Sequence, residues 1–132
     1  MAEGLRRAAR CGRREPVRPR APLLRTSNFS GGNQQKIVLA REIDHDPRIM
    51  LVGQPTRGVD IGAIEFIHKR IVAERDAGKA VLLVSVELDE IFALSDRIIV
   101  LCGGRVTGER LPQETNPQDL GLLMAGVNER AA

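Results

Sequence analysis

The segment Phe29-Ser30-Gly31-Gly32-Asn33-Gln34-Gln35-Lys36 decides how the chain is read. A hydroxyl residue and two glycines open a stretch in which Ile37, Val38, Leu39 and Ile43 supply an apolar face, the pattern of a helix from Gly31 to about Asp44. Ser30 has the chemistry of an N-cap, and Asp46-Pro47 stops the helix because proline drives the residue before it out of the α region. The first turn of a helix leaves several N–H groups without intrahelical acceptors. Two glycines there let a ligand approach the backbone closely, so Ser30 to Gly32 has the makings of an anion site. Taken alone, a Gly-Gly helix start is more often a plain cap, and the surrounding sequence changes that balance.

Downstream, Ile49-Met50-Leu51-Val52 is short, continuously apolar and bounded by Pro47 and Gly53, which predicts a buried inner strand of a parallel sheet. Gln54-Pro55-Thr56-Arg57-Gly58-Val59-Asp60 reads as a loop. Ile61 to about Ala77 reads as a helix with Ile64, Ile67, Ile71 and Val72 turned inward, closed by Gly78. Ala80 to Val84 is a second apolar strand, Glu87 to Leu94 a short helix, and Arg97 to Cys102 a third strand. Gly103-Gly104 suits a tight turn that returns Arg105 to Glu109 as a hairpin arm, and Pro117 to Ala125 reads as a last helix burying Leu120, Leu122, Leu123 and Met124. This alternation predicts an α/β fold: a parallel sheet core with flanking helices, right-handed crossovers and a terminal β-hairpin.

The 132 residues suffice for one modest core, and 42% hydrophobic content is that of a globular chain. Three Phe and no Trp or Tyr leave the core to aliphatic residues and remove the aromatic platforms on which nucleic-acid bases stack. The basic charge is local. Residues 1–28 hold eight Arg against two Glu, while the remainder carries 12 basic and 15 acidic residues. That Arg-rich segment lacks the apolar stretch of a secretory signal and reads as a poorly ordered N-terminal region, with residues 29–132 as the folded part. Cys11 and Cys102 show neither redox nor metal-ligand spacing. The longest apolar runs fall far short of the ~20 residues that span a bilayer.

Phe29 to Lys36 resembles the signature motif of ABC ATP-binding domains, and it is followed at the interval of that family by an apolar strand, a Pro-Thr pair and a loop ending in Asp60. Asn33-Gln34-Gln35-Lys36 together with Arg57-Gly58-Val59-Asp60 is similar to the second ATP-binding domain of fused sugar-type importer ATPases, and Gln54-Pro55-Thr56 to their nucleoside-importer branch. The resemblance runs from Phe29 to about Gly126 and implies the C-terminal half of a P-loop NTPase domain, a truncated form of much longer family proteins. It further implies that Ser30, Gly31 and Gly32 close over the γ-phosphate of ATP held in a partner domain, with Asn33 and Gln34 supporting the helix start. Asp60 resembles the D-loop aspartate, which also reaches across that interface.

Catalytic positions depart from the family. The strand Ile49 to Val52 is expected to end in an Asp that organises Mg²⁺ and a Glu that polarises water, yet Gly53 and Gln54 stand there. Val86 occupies the place of the switch histidine. The phosphate-cradling pattern G-x-x-x-x-G-K-[ST] is absent from these 132 residues, and Gly78-Lys79 ends a helix instead of opening one. His45 and His68 read as solvated or capping, Met50 and Met124 as core, and Glu87, Asp89 and Glu90 as compensation of a helix dipole.

Three functions compete on these grounds. The first, which the residues favour, is a coupling module with no catalytic residue of its own, using ATP and Mg²⁺ only as held by a partner. The resemblance implies another ABC ATP-binding domain, membrane permease subunits and indirectly a solute-binding protein as partners, no nucleic acid, and a cytoplasmic location on the inner face of the membrane. The second is an autonomous ATP hydrolase. The third is a nucleic-acid-associated fragment of a non-transport ABC protein, binding through its Arg-rich start with steep salt dependence.

Overall fold

A computed structural model describes residues 25–127, so the Arg-rich segment lies almost wholly outside the described residues. The chain divides into two compact units at Val84/Ser85. The first contains α1 (Gly31–Asp44), β1 (Ile49–Gly53), α2 (Ile61–Asp76) and β2 (Ala80–Val84). The second contains α3 (Leu88–Leu94), β3 (Ile98–Cys102), β4 (Arg105–Arg110) and α4 (Pro117–Met124). Short 3₁₀ turns at Thr26–Asn28 and Pro112–Glu114 precede α1 and α4.

In the first unit β1 and β2 are parallel neighbours, in register from Ile49 opposite Ala80 to Gly53 opposite Val84, with α2 as the crossover. Successive strand side chains point to opposite faces. Met50 is buried, whereas Ile49 (71% exposed), Leu51 (73%), Leu82 (57%) and Val84 (51%) line an open face. The prediction of strands buried throughout is therefore corrected: among the described residues only one face is covered. The unit buries Phe29, Leu39, Ala40, Met50, Ala63, Ile67 and Ile71, so α1 turns Leu39 and Ala40 inward while Val38 faces out.

Glycine ends α2 as expected, for a definable reason. Gly78 lies at φ +89, letting its N–H reach Arg75 O (2.8 Å) and the N–H of Lys79 reach Glu74 O (3.2 Å). These two bonds satisfy carbonyls that the last turn leaves open, the pattern that favours glycine after a helix. Lys79 then folds back: its Nζ pairs with Glu74 Oε2 (2.7 Å) and with Asp46 Oδ1 (2.8 Å), its side chain being 13% exposed and that of Glu74 9%. The segment between α1 and β1 is thereby tied to the end of α2. Bonding to Lys79 holds the Asp46 carboxyl below its ordinary range, and bonding to Asp46 and Glu74 raises the Lys79 ammonium.

In the second unit β3 pairs with β4 in antiparallel fashion, through a turn at Gly103 (φ +56) and Gly104 (φ +74) and an irregularity at Val100/Leu101. The hairpin expected from the two-residue glycine turn is present, and among the described residues β4 is the strand that β3 pairs with. Ile98, Val100, Leu120 and Leu123 form the core, with Leu88, Ile91 and Phe92 packed against it. A Cβ on Gly108 would lie 2.6 Å from Leu123 Cδ1, so glycine there is what seats α4 on the hairpin. Thr107 Oγ1 donates to Leu123 O (2.9 Å). At the other end of α4, Asn116 caps the helix through the Asp119 N–H (2.9 Å) and Arg110 Nε donates to Asp119 Oδ2 (2.8 Å). Leu122 and Met124, expected in the core, are exposed, since an eight-residue helix turns only one narrow stripe toward the hairpin. No described helix is long and apolar enough to cross a membrane.

Two outcomes follow from this packing. Replacing Leu51 and Leu82 together by Thr, a β-branched residue suited to strands, removes apolar surface and is expected to reduce self-association in analytical ultracentrifugation without loss of helical circular dichroism. The Asp46 contribution works through a depressed folded-state pKa, so its stabilisation is present above the ordinary carboxylate pKa and is lost as pH falls through the lowered folded value. Asp46→Asn keeps a residue that tolerates φ +48 but removes the charge. Thermal melts are expected to show it less stable than the parent at neutral pH, with the difference closing once the parent carboxyl is protonated.

Candidate functional site

Ser30 occupies the N-cap position of α1 with φ −59 and ψ 155, and its carbonyl accepts the Gln34 N–H at 2.9 Å. Its hydroxyl does not cap the helix. This corrects the expectation from sequence and has a visible cause: Asn33 Nδ2 donates to Ser30 Oγ at 3.1 Å, leaving the hydroxyl exposed at the helix mouth. Gln34 Nε2 reaches back to Phe29 O at 2.7 Å, so the two amide residues of the first turn hold the entering chain from both sides. Phe29 is buried and anchors the loop. No acidic residue lies in the first turn of α1, so nothing on that turn opposes the positive end of the helix dipole.

The two glycines have different work. Gly31 is exposed, and a Cβ there would be 3.5 Å from Gly58 O, an ordinary contact. Gly32 is buried, and a Cβ on it would stand 2.9 Å from Asp60 Oδ2 and 3.0 Å from Ala63 Cβ. Asp60 caps α2, its Oδ1 accepting the Ala63 N–H at 2.8 Å. The loop entering α1 and the loop ending at Asp60 are thus in contact, and Lys36 Nζ lies 5.2 Å from the centre of the Phe66 ring one turn further along.

At the end of β1, Gly53 is exposed with no atom near the position of a Cβ, so it presents no ligand. Gln54 takes φ +48, a conformation costing an L-residue roughly 1 kcal/mol. Its N–H donates to Val84 O at 2.8 Å, which extends the β1–β2 ladder by one bond past Gly53. Gln54 Oε1 is buried without a hydrogen-bond partner among the described residues. Pro55 and Thr56 beside it are buried. In the second unit Val86 is exposed, in the turn where Ser85 Oγ accepts the Glu87 N–H at 3.1 Å. The described residues contain no group of three or more His, Cys, Asp and Glu side chains arranged to hold a metal.

No protein-family model matches the chain. Among curated proteins it is 58% identical over 104 residues to the guanosine import ATP-binding protein NupO of Bacillus subtilis, which covers 79% of this chain and 20% of NupO. It is 54% identical over 112 residues to the nucleoside import ATP-binding protein NupA of Lactococcus lactis, covering 85% of this chain and 22% of NupA. Among solved structures it superposes on the dimeric bacterial ABC transporter cassette MJ0796 with a TM-score of 0.70 and 29% identity, over 81% of this chain and 46% of that one. The chain is similar to one segment of nucleoside and sugar import ATP-binding proteins and has the fold of an ABC ATPase cassette. It spans about a fifth of the length of the curated relatives it matches. MJ0796 has also been solved with ADP and inorganic phosphate, so this cassette fold is one that holds nucleotide.

Within this segment the structure brings Ser30 to Gln34 together with Asp60 and places Gly53 and Gln54 at the end of β1. Sequence reasoning missed that Gly32 is needed for packing against Asp60 and Ala63, since an approach between residues 28 positions apart leaves no local pattern. It also missed the Asp46–Lys79–Glu74 tie; five-residue spacing across a helix end is a weak signal unless the glycine turn between them is built. Gly32→Ala is expected to lower stability by about 1–3 kcal/mol in denaturant melts, the usual cost of overpacking, while Gly31→Ala stays within about 1 kcal/mol, since it meets only an ordinary contact.

Proposed function

We propose that the chain acts as a capping and coupling module of an ABC importer for nucleosides or sugars. Ser30, Gly31 and Gly32, supported by Asn33 and Gln34, close over the γ-phosphate of Mg²⁺-ATP held by the P-loop of a partner ATP-binding domain. The observation that carries this reading is the exposed Ser30 hydroxyl at the mouth of a 14-residue helix with no acidic residue in its first turn. On this reading its partners are permease subunits at the cytoplasmic face of the membrane and, indirectly, a solute-binding protein; similarity to nucleoside import ATP-binding proteins supports it. In this reading the matched segment belongs to the second ATP-binding domain of the importer ATPase, and Asp60 faces the same interface.

Autonomous hydrolysis is the weaker alternative. The amide of Gln54 cannot accept a proton from an attacking water, Gly53 has no side-chain oxygen for Mg²⁺, and Val86 has no group to sense a γ-phosphate. The P-loop pattern is not among these residues. Nucleic-acid binding has only the charge of residues 1–28 behind it.

Equilibrium titration of the purified chain with a fluorescent ATP analogue and Mg²⁺ is expected to show no saturable binding in the micromolar range; tight binding by the chain alone sinks the capping reading. Added to a complete nucleoside-importer cassette, the chain is expected to slow release of the analogue. Gly31→Asp, which fits sterically but sets a carboxylate against the phosphate, is expected to abolish that effect. Ser30→Ala is expected to weaken it by about tenfold or more, the equivalent of one hydrogen bond to a charged group.

A further inference from the structure

Gly32 rests directly on Asp60, and that contact has a consequence for how the capping loop moves. We propose that Asp60 is a positioning residue for the Ser30–Gly32 loop: its carboxylate fixes the start of α1 from beneath while capping α2, so that the two loops shift as one body. The proposal rests on the capping reading above and names the residue that regulates that site.

The geometry leaves little slack. Asp60 Oδ1 is held by the Ala63 N–H at 2.8 Å, and the Asp60 carbonyl accepts from Ala63 and Ile64 N–H at 3.0 Å each, so the residue is fixed to the first turn of α2. Its second oxygen faces the Cα of Gly32, where even a methyl group would come within 2.9 Å. Ala63 Cβ supports the same glycine at 3.0 Å from that position, and Gly58 O backs Gly31. Close-packed contacts transmit displacement instead of absorbing it. The carboxylate oxygen that caps α2 is not available to a partner domain. Turning Asp60 outward to meet a partner gives up the Ala63 N–H and removes the surface under Gly32, so engagement at Asp60 and the position of the capping loop are linked.

Site-resolved amide hydrogen exchange on the full chain tests this without any nucleotide. In Asp60→Ala, exchange at Ala63 is expected to speed up by about fivefold, as for a lost N-cap, and exchange at Gln34, whose N–H closes the first turn of α1, is expected to speed up comparably. Asp60→Asn retains an acceptor and is expected to restore parent rates at both positions. Acceleration at Ala63 with Gln34 unchanged overturns the proposal, because Asp60 is then only a local cap. If Asp60→Ala fails to fold, the milder Asp60→Ser, which caps α2 with a shorter side chain, carries the same comparison: slow exchange at Ala63 with faster exchange at Gln34 supports the coupling, and parent rates at both overturn it. Retention of an ATP analogue by a complete cassette, measured with the same variants, separates the two claims. Unchanged retention for Ser30→Ala and Gly31→Asp refutes capping while leaving the exchange result to decide the coupling.

Discussion

The missing Cβ of Gly32 is the constraint on which the first unit is built. Two helices that pack through their first turns normally keep apart by the width of side chains, 8–10 Å between axes. Here the N-terminal turn of α1 comes down onto Asp60 and Ala63 at the start of α2, where a methyl group would already be too close. Its neighbour Gly31 is exposed at the helix mouth, so the two glycines divide the work: one is packed and the other faces outward. Serine, asparagine and glutamine around them then complete the loop with two side-chain bonds, Asn33 to Ser30 and Gln34 to Phe29. These leave the Ser30 hydroxyl outside the helix's own capping scheme.

Charge is used sparingly in what is buried. The Lys79–Glu74 pair is largely screened from water, with Asp46 as a second, exposed partner and Arg70 Nη2 at 3.5 Å from Glu74 Oε1. Breaking such a pair leaves a charge without compensation, which makes it a constraint on geometry more than a source of stability. It fixes where β1 begins relative to where α2 ends. The exposed pairs Lys69–Glu65 and Arg75–Asp76 are of the surface kind that contributes about 0–1 kcal/mol. The chemistry at the end of β1 is neutral by comparison: a glycine with no side chain and a strained glutamine whose buried carbonyl oxygen has no partner among the described residues.

One face of β1 and β2 is uncovered among the described residues. Continuous apolar strands are the mark of parallel sheets covered on both sides. Ile49, Leu51, Leu82 and Val84 carry that mark while standing open, and the chain matches less than half of the solved cassette on which it superposes.

Local chemistry made much of this legible. Helical periodicity, with a proline stop after α1 and a glycine stop after α2, set both helices within a residue or two, because caps and breakers act over a few positions. The Ser30–Lys36 motif and the Pro55-Thr56 to Asp60 loop pointed to the family, since their spacing is set along the chain. Four things depended on tertiary structure, each for a physical reason. Which face of a continuously apolar strand is covered depends on what packs there, and Ile49 and Met50 are alike to any hydropathy scale. Whether Ser30 caps its helix was settled by competition from Asn33 for the same hydroxyl. That Leu122 and Met124 stand exposed followed from the narrow stripe that an eight-residue helix turns toward the hairpin. The approach of Gly32 to Asp60 joins residues distant in sequence, and only folding brings a backbone and a carboxylate so close that the absence of one methyl group decides the fit.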